Sequence, residues 1–188
     1  MKEKIVIHVC CGVCALYPVK KLSEEFEVIG FWYNPNIHPY KEYQIRLSTT
    51  SYAFSILKNE IFFDYNYDIT SWFEKIIPAE KEGKRCELCY RIRLEKTAEF
   101  TKTKDIKYFT TTLLVSPYQS KKLIKKVGDE VAEKFGLSFY YEDFSTGYRE
   151  GREMARKYGM YHQNYCGCLF SEYERFSKGR LTQKTEKM

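Results

Sequence analysis

Apolar and polar residues along the chain alternate between the period of strands and the period of helices. Short β-branched or aromatic runs predict buried strands at 5–9, 26–33, 61–65, 107–114 and 137–141. Longer segments with apolar residues every three or four positions predict helices at 13–25, 42–58, 68–77, 86–98 and 121–136. Ser120 and Gly136 are residue types that cap the two ends of the last helix.

This alternation is typical of βαβ units, which build a parallel sheet covered by helices on both faces. We therefore predict a single-domain α/β fold, a Rossmann-like (nucleotide-hydrolase-like) three-layer sandwich. Its metal site is expected at the carboxyl ends of the strands, where such sheets bind ligands. The catalytic domain is expected to span residues 1–178, and residues 179–188 are expected to form a mobile basic tail.

Composition and charge narrow the class of protein. With 188 residues, 44% of them hydrophobic, the chain is long enough to bury one substantial core. Its net charge of +6 favours a polyanionic partner, because Lys and Arg gain affinity by displacing counterions from phosphates. The apolar stretch at 5–9 is far too short for a signal sequence or a membrane span. We therefore expect a soluble, cytoplasmic monomer with no membrane partner.

The positions of the cysteines are the most informative feature of the sequence. There are seven, an odd number that argues against a fully paired disulfide framework. In a reducing compartment, close groups of cysteines more often ligate metals or perform redox chemistry. Three groups are present: Cys10, Cys11 and Cys14, then Cys86 and Cys89, then Cys166 and Cys168.

Four thiolates suffice for one [4Fe–4S] cluster, and Cys10, Cys11, Cys86 and Cys89 are the candidate ligands. Cys86 and Cys89 lie at the start of a predicted helix, where free N–H groups and the helix dipole favour negative charge. Structural zinc is the main alternative, although adjacent Cys10 and Cys11 form an awkward tetrahedral chelate. Unliganded buried thiols are a second alternative, because the residues before Cys10 are apolar.

The remaining candidates suggest further roles. Cys166 and Cys168, separated by one glycine, can close a strained and easily reduced disulfide, which indicates a redox-active dithiol. Both could instead be additional metal ligands. Cys14, with His8, is a candidate for a second metal ion, such as an additional iron, or it packs on the first helix. His38 is either a loop residue bonded to its own turn or another residue of the metal site or substrate pocket.

The segment from 148 to 165 mixes arginines with aromatic rings. Such mixtures bind phosphates and stack on unpaired bases, so Tyr148, Arg149, Arg152 and Arg156 are candidate RNA-binding residues. A solvated helix face would have a similar composition, and this interpretation stays open.

Several motifs, in one order, resemble those of the cobalamin-independent epoxyqueuosine reductases. They are HVCCGVC at 8–14, FWYNPNIHP at 31–39 with Glu42, Tyr43 and Arg46, RCELCYRIRL at 85–94, TTTLLVSPY at 110–118, YREG at 148–151 and YCGC at 165–168. The resemblance spans about Ile5 to Ser171, nearly the whole chain. One departure is Gly12-Val13, where many members have Ala-Pro, and it affects the expectations for Cys14 rather than those for the cluster.

The resemblance implies a specific chemistry. Members of that family convert epoxyqueuosine at the tRNA wobble position to queuosine, by two-electron deoxygenation of an epoxide. The implied partners are a tRNA containing epoxyqueuosine and an unidentified electron donor. By resemblance, Cys166 and Cys168 form a redox-active disulfide. The implied ligands of a [4Fe–4S] cluster are Cys10, Cys11, Cys86 and Cys89.

Two other functions remain open at the level of sequence. A tRNA sulfur transferase with a cluster or zinc has a similar scaffold, but it should carry an S-G-G-x-D-S phosphate loop after the first strand. Residues 8–12 contain no such glycine pair. The other alternative is a non-catalytic, zinc-stabilised RNA-binding module, which the iron content of the protein would distinguish.

Overall fold

The computed structural model describes residues 2–177 of the chain. The predicted mobile tail at 179–188 lies outside the described residues, so the predicted domain boundary stays a prediction. Within the described range, none of the helices combines the length and the apolar character that a bilayer crossing requires. The strands are β1 (Glu3–His8), β2 (Phe26–Trp32), β3 (Glu60–Phe63), β4 (Tyr108–Thr111) and β5 (Ser138–Phe139).

These strands form one parallel sheet in the order β3-β2-β1-β4-β5. Ile5, Val6 and Ile7 of the central strand β1 are fully buried, as expected for a strand covered on both faces. His8, at the end of β1, pairs in register with β2 on one side and with Thr111 of β4 on the other. The predicted parallel α/β fold is therefore confirmed.

Helices cover both faces of this sheet. They are α1 (Gly12–Leu22), α2 (Tyr40–Leu57), α3 (Ile69–Lys81), α4 (Arg85–Thr103), α5 (Lys121–Phe135), α6 (Tyr148–Lys157) and α7 (Leu169–Phe176). α1 packs against α2 and α6, whereas α4 packs against α3 and α5. Crossovers between parallel strands are right-handed. The chain moves one way across the sheet from β1 to β3 and the opposite way from β3 to β5, so the helices of the two halves lie on opposite faces. The result is the predicted three-layer sandwich.

The sheet has a switch point between β1 and β4. The chain moves outward from β1 to β3 and then crosses back to β4, so the connections of these two neighbours leave in opposite directions. Ligands of open α/β sheets bind in the crevice beyond the carboxyl ends of the strands at such a point. Cys10 and Cys11 follow β1 there, and Thr112 follows β4.

The caps of α5 follow the sequence prediction. The Ser120 side chain accepts the backbone N–H of Leu123, and Gly136 ends the helix with a φ of +67°. A side-chain acceptor satisfies one of the free N–H groups of the first turn, and the left-handed residue closes the last turn.

The predicted strand at 107–114 is shorter than expected. β4 ends at Thr111, and Thr112–Val115 form a 3₁₀ turn. Thr111 caps that turn, because its Oγ1 accepts the N–H of Leu113 at 3.2 Å. This turn keeps Thr112 at the switch point. A longer strand would have carried it past the edge of the sheet.

Candidate metal centre

Three cysteine sulfurs lie together at the switch point. The Sγ atoms of Cys10, Cys11 and Cys14, here called the cysteine triad, all lie within 4.8 Å of one another. Cys11 is the N-cap of α1, and its Sγ accepts the backbone N–H of Cys14 at 3.2 Å. Cys10 and Cys11 are buried, and Cys14 is partly buried. Between residues 2 and 177, no other set of three potential ligands is packed this closely.

The three thiols of the triad differ in the direction of their pKa shifts. Hydrogen bonds from Cys11 and Cys14 keep the pKa of Cys10 well below its ordinary value, and Thr112 Oγ1 lies 3.2 Å from Cys10 Sγ. Burial raises the pKa of Cys11, and hydrogen bonding to Cys10 raises the pKa of Cys14. One thiolate is thus stabilised by two neighbouring S–H groups, and a bound metal ion would replace those protons.

His8 connects the ends of three strands beside the triad. Its Nε2 donates to the carbonyl O of Tyr33 at 3.2 Å, and its Nδ1 lies 2.9 Å from Thr111 Oγ1 and accepts from it. Burial, and then the positive charge of Arg93, lower the pKa of His8 to about 3. The ring is therefore neutral at physiological pH, and both of its nitrogens are engaged by neighbouring protein groups.

A second group of cysteines lies where α4 meets the segment before α7. Cys89 and Cys168 are 8% and 5% exposed and pack in one buried cluster with Trp72 and Ile76 of α3. Cys86 lies three residues before Cys89 on α4 and is exposed. Cys89 and Cys168, which belong to different cysteine groups of the sequence, are therefore neighbours in space.

Cys166 and Cys168 form an unequal pair. Their Sγ atoms lie 3.8 Å apart, and Ser171 Oγ lies 2.9 Å from Cys166 Sγ. Hydrogen bonding with Cys168, and then with Ser171, lowers the pKa of Cys166 to about 5, and the hydrogen bond with Cys166 raises the pKa of Cys168. Cys166 is exposed, whereas Cys168 is buried. The pair thus combines an accessible sulfur that favours the thiolate with a buried one that keeps its proton.

A buried ion pair on α2 holds the loop that carries Cys166. Arg46 and Glu42, 2% and 7% exposed, are joined at 2.7 Å between Nε and Oε1. Arg46 also donates to the carbonyl O of Cys166 at 3.0 Å and to that of Tyr165 at 3.2 Å. Glu42 accepts the Tyr161 hydroxyl at 2.7 Å. α2 therefore fixes the backbone on which the exposed sulfur is mounted.

His38 lies against the same loop. The backbone N–H of His38 donates to the carbonyl O of Gly167 at 2.8 Å. Its Nδ1 donates to Tyr67 Oη at 2.9 Å, because Tyr67 gives its own proton to the carbonyl O of Ile37. Burial lowers the pKa of His38 to about 4, and Nε2 is buried with no partner among residues 2–177. His38 therefore keeps an unbonded lone pair near the cysteine loop.

Gln163, on the loop that carries Cys166, contacts the triad. Its Nε2 lies 2.5 Å from Cys11 Sγ and 3.7 Å from Cys14 Sγ. Since Gln163 is only three residues before Cys166, the loop that carries the redox candidate also contacts the metal candidates. Gln163 therefore links the loop before Cys166 to the triad.

Arg93 of α4 carries a buried charge close to Cys89. It is 4% exposed, and its Nε donates to the carbonyl O of Cys89 at 3.1 Å. Burial opposes its charge, but the nearby sulfurs of Cys89, Cys10 and Cys166 raise its pKa. A fixed positive charge therefore lies among thiols contributed by all three cysteine groups.

The predicted RNA-binding residues lie on α6, which packs against α1. Arg149 and Arg156 are exposed and Arg152 is partly buried, with its Nη1 donating to Tyr148 Oη at 3.1 Å. Among the described residues of α6, Glu150 forms an ion pair, and its partner is on α1. The three guanidinium groups are thus not neutralised by carboxylates of the described chain, on the helix next to the one that begins at the triad.

The structure divides the predicted cluster ligands between two places. Cys10 and Cys11 belong to the triad, which Cys14 joins as its third member. Cys86 and Cys89 lie in the first turns of α4, at the start of a helix as predicted. The sequence left the role of Cys14 open, and the structure places it with Cys10 and Cys11.

Sequence analysis assigned no role to Gln163, Thr112 or Arg93. For Arg93 a signal was available, because it lies four residues after Cys89 and four before Thr97, on the buried stripe of α4. An arginine on such a stripe must meet a partner inside the protein. Gln163 and Thr112 reach the sulfurs only through the tertiary fold, and their local sequence carries no such signal.

The fold and this site define an α/β protein with a thiol-rich centre, able to hold a metal, at the switch point of its sheet. The chain belongs to the epoxyqueuosine reductase QueH family, whose family model matches residues 5–174. A relative named epoxyqueuosine reductase QueH from Dehalococcoides mccartyi is 35% identical over 179 residues, which cover 95% of this chain and 97% of the relative. A relative of the same name from Thermotoga maritima is 35% identical over 184 residues, covering 93% of each chain. The resemblance seen in the sequence motifs is thereby confirmed.

A solved structure has a similar fold. It is described as the predicted subunit of a tRNA methyltransferase from Methanocaldococcus jannaschii, and it matches with a TM-score of 0.51 at 14% identity. The match covers 83% of this chain and 75% of that one. At such low identity the likeness concerns the fold alone.

Proposed function

We propose that this protein is an epoxyqueuosine reductase, which deoxygenates epoxyqueuosine to queuosine at the wobble position of tRNA. The observation that carries the proposal is the triad of Cys10, Cys11 and Cys14 at the switch point of a QueH-family chain, with Gln163 of the loop before Cys166 in contact with it. Relatives that match nearly the whole chain bear the name of this activity.

The donor set fits an iron–sulfur group. All seven cysteines are free thiols, and soft thiolate ligands select iron–sulfur clusters or zinc over hard cations. Two buried arginines, Arg46 and Arg93, lie near sulfurs and supply the positive charge that a thiolate-bound group requires. The proposed ligands of a [4Fe–4S] cluster are Cys10, Cys11, Cys86 and Cys89.

An additional iron ion, or a contact with the substrate, is proposed for the residues that the cluster leaves over. The candidates are Cys14, His8 and His38. Of the two histidines, His38 has the unbonded ring nitrogen, whereas both nitrogens of His8 are engaged. A ligand must offer a free lone pair, so His38 is the better donor of the two.

The cysteine pair accounts for the electrons of the reaction. Removing an epoxide oxygen as water breaks two C–O bonds, forms one C=C bond, and consumes two electrons and two protons. Oxidation of the Cys166 and Cys168 dithiol to a disulfide releases two electrons and two protons, so the balance closes. An external electron donor must then reduce the disulfide. When bound, the iron–sulfur group supplies electron transfer and a Lewis acid for the epoxide oxygen.

The substrate is proposed to approach along α6. Arg149, Arg152 and Arg156 would bind phosphates of the tRNA, and Tyr148 would stack on an unpaired base. Because α6 packs against α1, which begins at the triad, RNA bound on α6 would lie beside the helix that leads to the sulfurs.

Two cysteine variants, made in protein purified without oxygen, test the two roles separately. Cys86→Ala should lose the brown chromophore and turnover together, because it removes a proposed cluster ligand. Cys168→Ser should keep the chromophore and fail to cycle, because one thiol cannot store two electrons. Full turnover by Cys86→Ala would remove the cluster from the proposal, and normal multiple turnover by Cys168→Ser would remove the dithiol.

The metal content separates this function from its rivals. Iron with acid-labile sulfide in wild-type protein excludes the zinc-stabilised RNA-binding module, which should contain zinc and be colourless. A colourless, iron-poor preparation that remains fully active would contradict the proposal. Release of sulfur onto tRNA in place of epoxide reduction would favour the sulfur transferase.

A further inference from the structure

Arg93 is a buried charge without an opposite charge of the ordinary kind. It is 4% exposed, and it forms no ion pair with any carboxylate of residues 2–177. Its Nε donates to the carbonyl O of Cys89 at 3.1 Å, and its guanidinium lies 5.7 Å from the centre of the Tyr90 ring. The sulfurs of Cys89, Cys10 and Cys166 are close enough to raise its pKa. A buried cation is tolerated only when it is paired, and a carbonyl and a ring are not anions, so this charge calls for a negative group beside Cys89.

Arg46, which is buried, and Arg85, which is partly buried, are paired differently. Arg46 bonds to Glu42, and Arg85 bonds to Glu80 and Glu174 at 2.9 Å each. Those charges are compensated whether or not the thiols are ionised. Arg93 alone among these three depends on the sulfurs, which makes it the residue that responds to their charge.

On the sheet side, His8 is the basic side chain of the described chain that lies nearest Cys10, and it does not supply this charge. His8 is fully buried, and its two ring nitrogens bond to the carbonyl O of Tyr33 and to Thr111 Oγ1, with no carboxylate of residues 2–177 to hold a positive ring. A negative group held by Cys10 and Cys89 therefore receives its positive counterpart from α4.

We propose that Arg93 is a positioning residue whose charge compensates the thiolate-bound cluster and raises its reduction potential. The inference rests on the proposed function, because it presupposes the cluster. Reduction adds one negative charge to the cluster, and a cation at short range stabilises the reduced state more than the oxidised one. Removing the cation must therefore make the cluster harder to reduce.

The test compares three variants of the full chain, prepared without oxygen. Arg93→Gln removes the charge, and Arg93→Lys keeps it. Arg91→Gln removes a partly exposed arginine two residues away, which pairs with Glu130. The measurements are iron and sulfide content, the visible spectrum, and the midpoint potential by spectroelectrochemical titration.

Arg93→Gln is expected to lower the reduction equilibrium constant by about tenfold, a shift of about 59 mV for a one-electron couple. Arg93→Lys should restore most of that shift, and Arg91→Gln should match the wild type. If Arg93 only packed the core, any Arg93→Gln protein that assembles the cluster would keep the wild-type midpoint potential.

Each outcome is decisive. A brown Arg93→Gln protein with the wild-type potential overturns the inference and leaves the proposed function standing. A colourless wild-type protein overturns both. Should Arg93→Gln fail to fold, Arg93→Lys decides: a native circular dichroism spectrum with wild-type iron and potential supports the role of the charge, and a lost cluster or a large shift contradicts it.

Discussion

Replacing Gly167 by alanine should disturb the geometry of the cysteine pair. Gly167 lies between Cys166 and Cys168 with a φ of +127°, a backbone conformation that L side chains rarely adopt. An added Cβ would lie 3.0 Å from Ile37 Cγ1 and 3.2 Å from Arg46 Nη1. The second of these atoms cannot easily retreat, because it donates to the carbonyl O of Cys166.

The cost follows from the backbone conformation and the contacts. A residue held in a disfavoured region of φ/ψ space costs about 1–3 kcal/mol. Each kcal/mol lowers the melting temperature of a chain of this size by about 2–4 °C. If the strain amounts to about 2 kcal/mol, Gly167→Ala should melt about 4–8 °C below the wild type. If the loop shifts to relieve the strain, the two sulfurs move apart and close a disulfide more slowly.

The matched control is Gly136→Ala, at the end of α5. Gly136 also has a positive φ, +67°, but nothing lies within 4 Å of its added Cβ. This variant should lose about 1 kcal/mol from backbone strain alone. The assays are thermal melting without oxygen and thiol titration after mild oxidation. Gly167→Ala should differ from the control in the rate of disulfide formation; equal rates and equal melting temperatures would refute this account of the loop.

Three further predictions concern the packing, the pH response and the RNA. Gly12→Ala should destabilise the protein by about 1–3 kcal/mol in denaturant titrations, since its Cβ would lie 2.5 Å from the carbonyl O of Thr49 on α2; an unchanged midpoint would contradict this packing. Because the pKa of His8 falls from 6.5 to about 3 on folding, its contribution is complete above pH 6.5 and is lost toward pH 3. His8→Gln should therefore flatten the acid decline of stability, by up to ~1.4 kcal/mol per pH unit, and a parallel decline would argue against a buried neutral ring. Arg149→Ala should reduce the salt dependence of tRNA binding by about one unit of log–log slope, and an unaltered slope would exclude a phosphate contact.

The fold could be predicted because its signals are local. The apolar run at 5–9 and the caps Ser120 and Gly136 are visible within a few residues of sequence, and each gave the correct element. The end of β4 could not be predicted in this way. Residues 112–115 continue the apolar pattern of the strand, but Thr111 caps a 3₁₀ turn instead. The pattern reports burial, and burial is the same in the strand and in the turn.

The site was predictable only as far as topology allowed. Cysteines that follow β1 were expected at the switch point, because every parallel strand delivers its end to the same edge. The closeness of Cys89 to Cys168 depends on contacts between residues 79 positions apart, and no local pattern encodes it. The same holds for Gln163, which reaches Cys11 across 152 positions.

The unequal exposure of Cys166 and Cys168 has a consequence for how an oxidised pair could be opened. Thiol attack proceeds faster when it expels the sulfur of lower pKa, which favours attack on Cys168 with Cys166 leaving. Cys168 is only 5% exposed, so a bulky thiol in solution meets Cys166 first and must expel the poorer leaving group. If the pair works as the proposed dithiol, its oxidised form would therefore be reduced only slowly by thiols in solution.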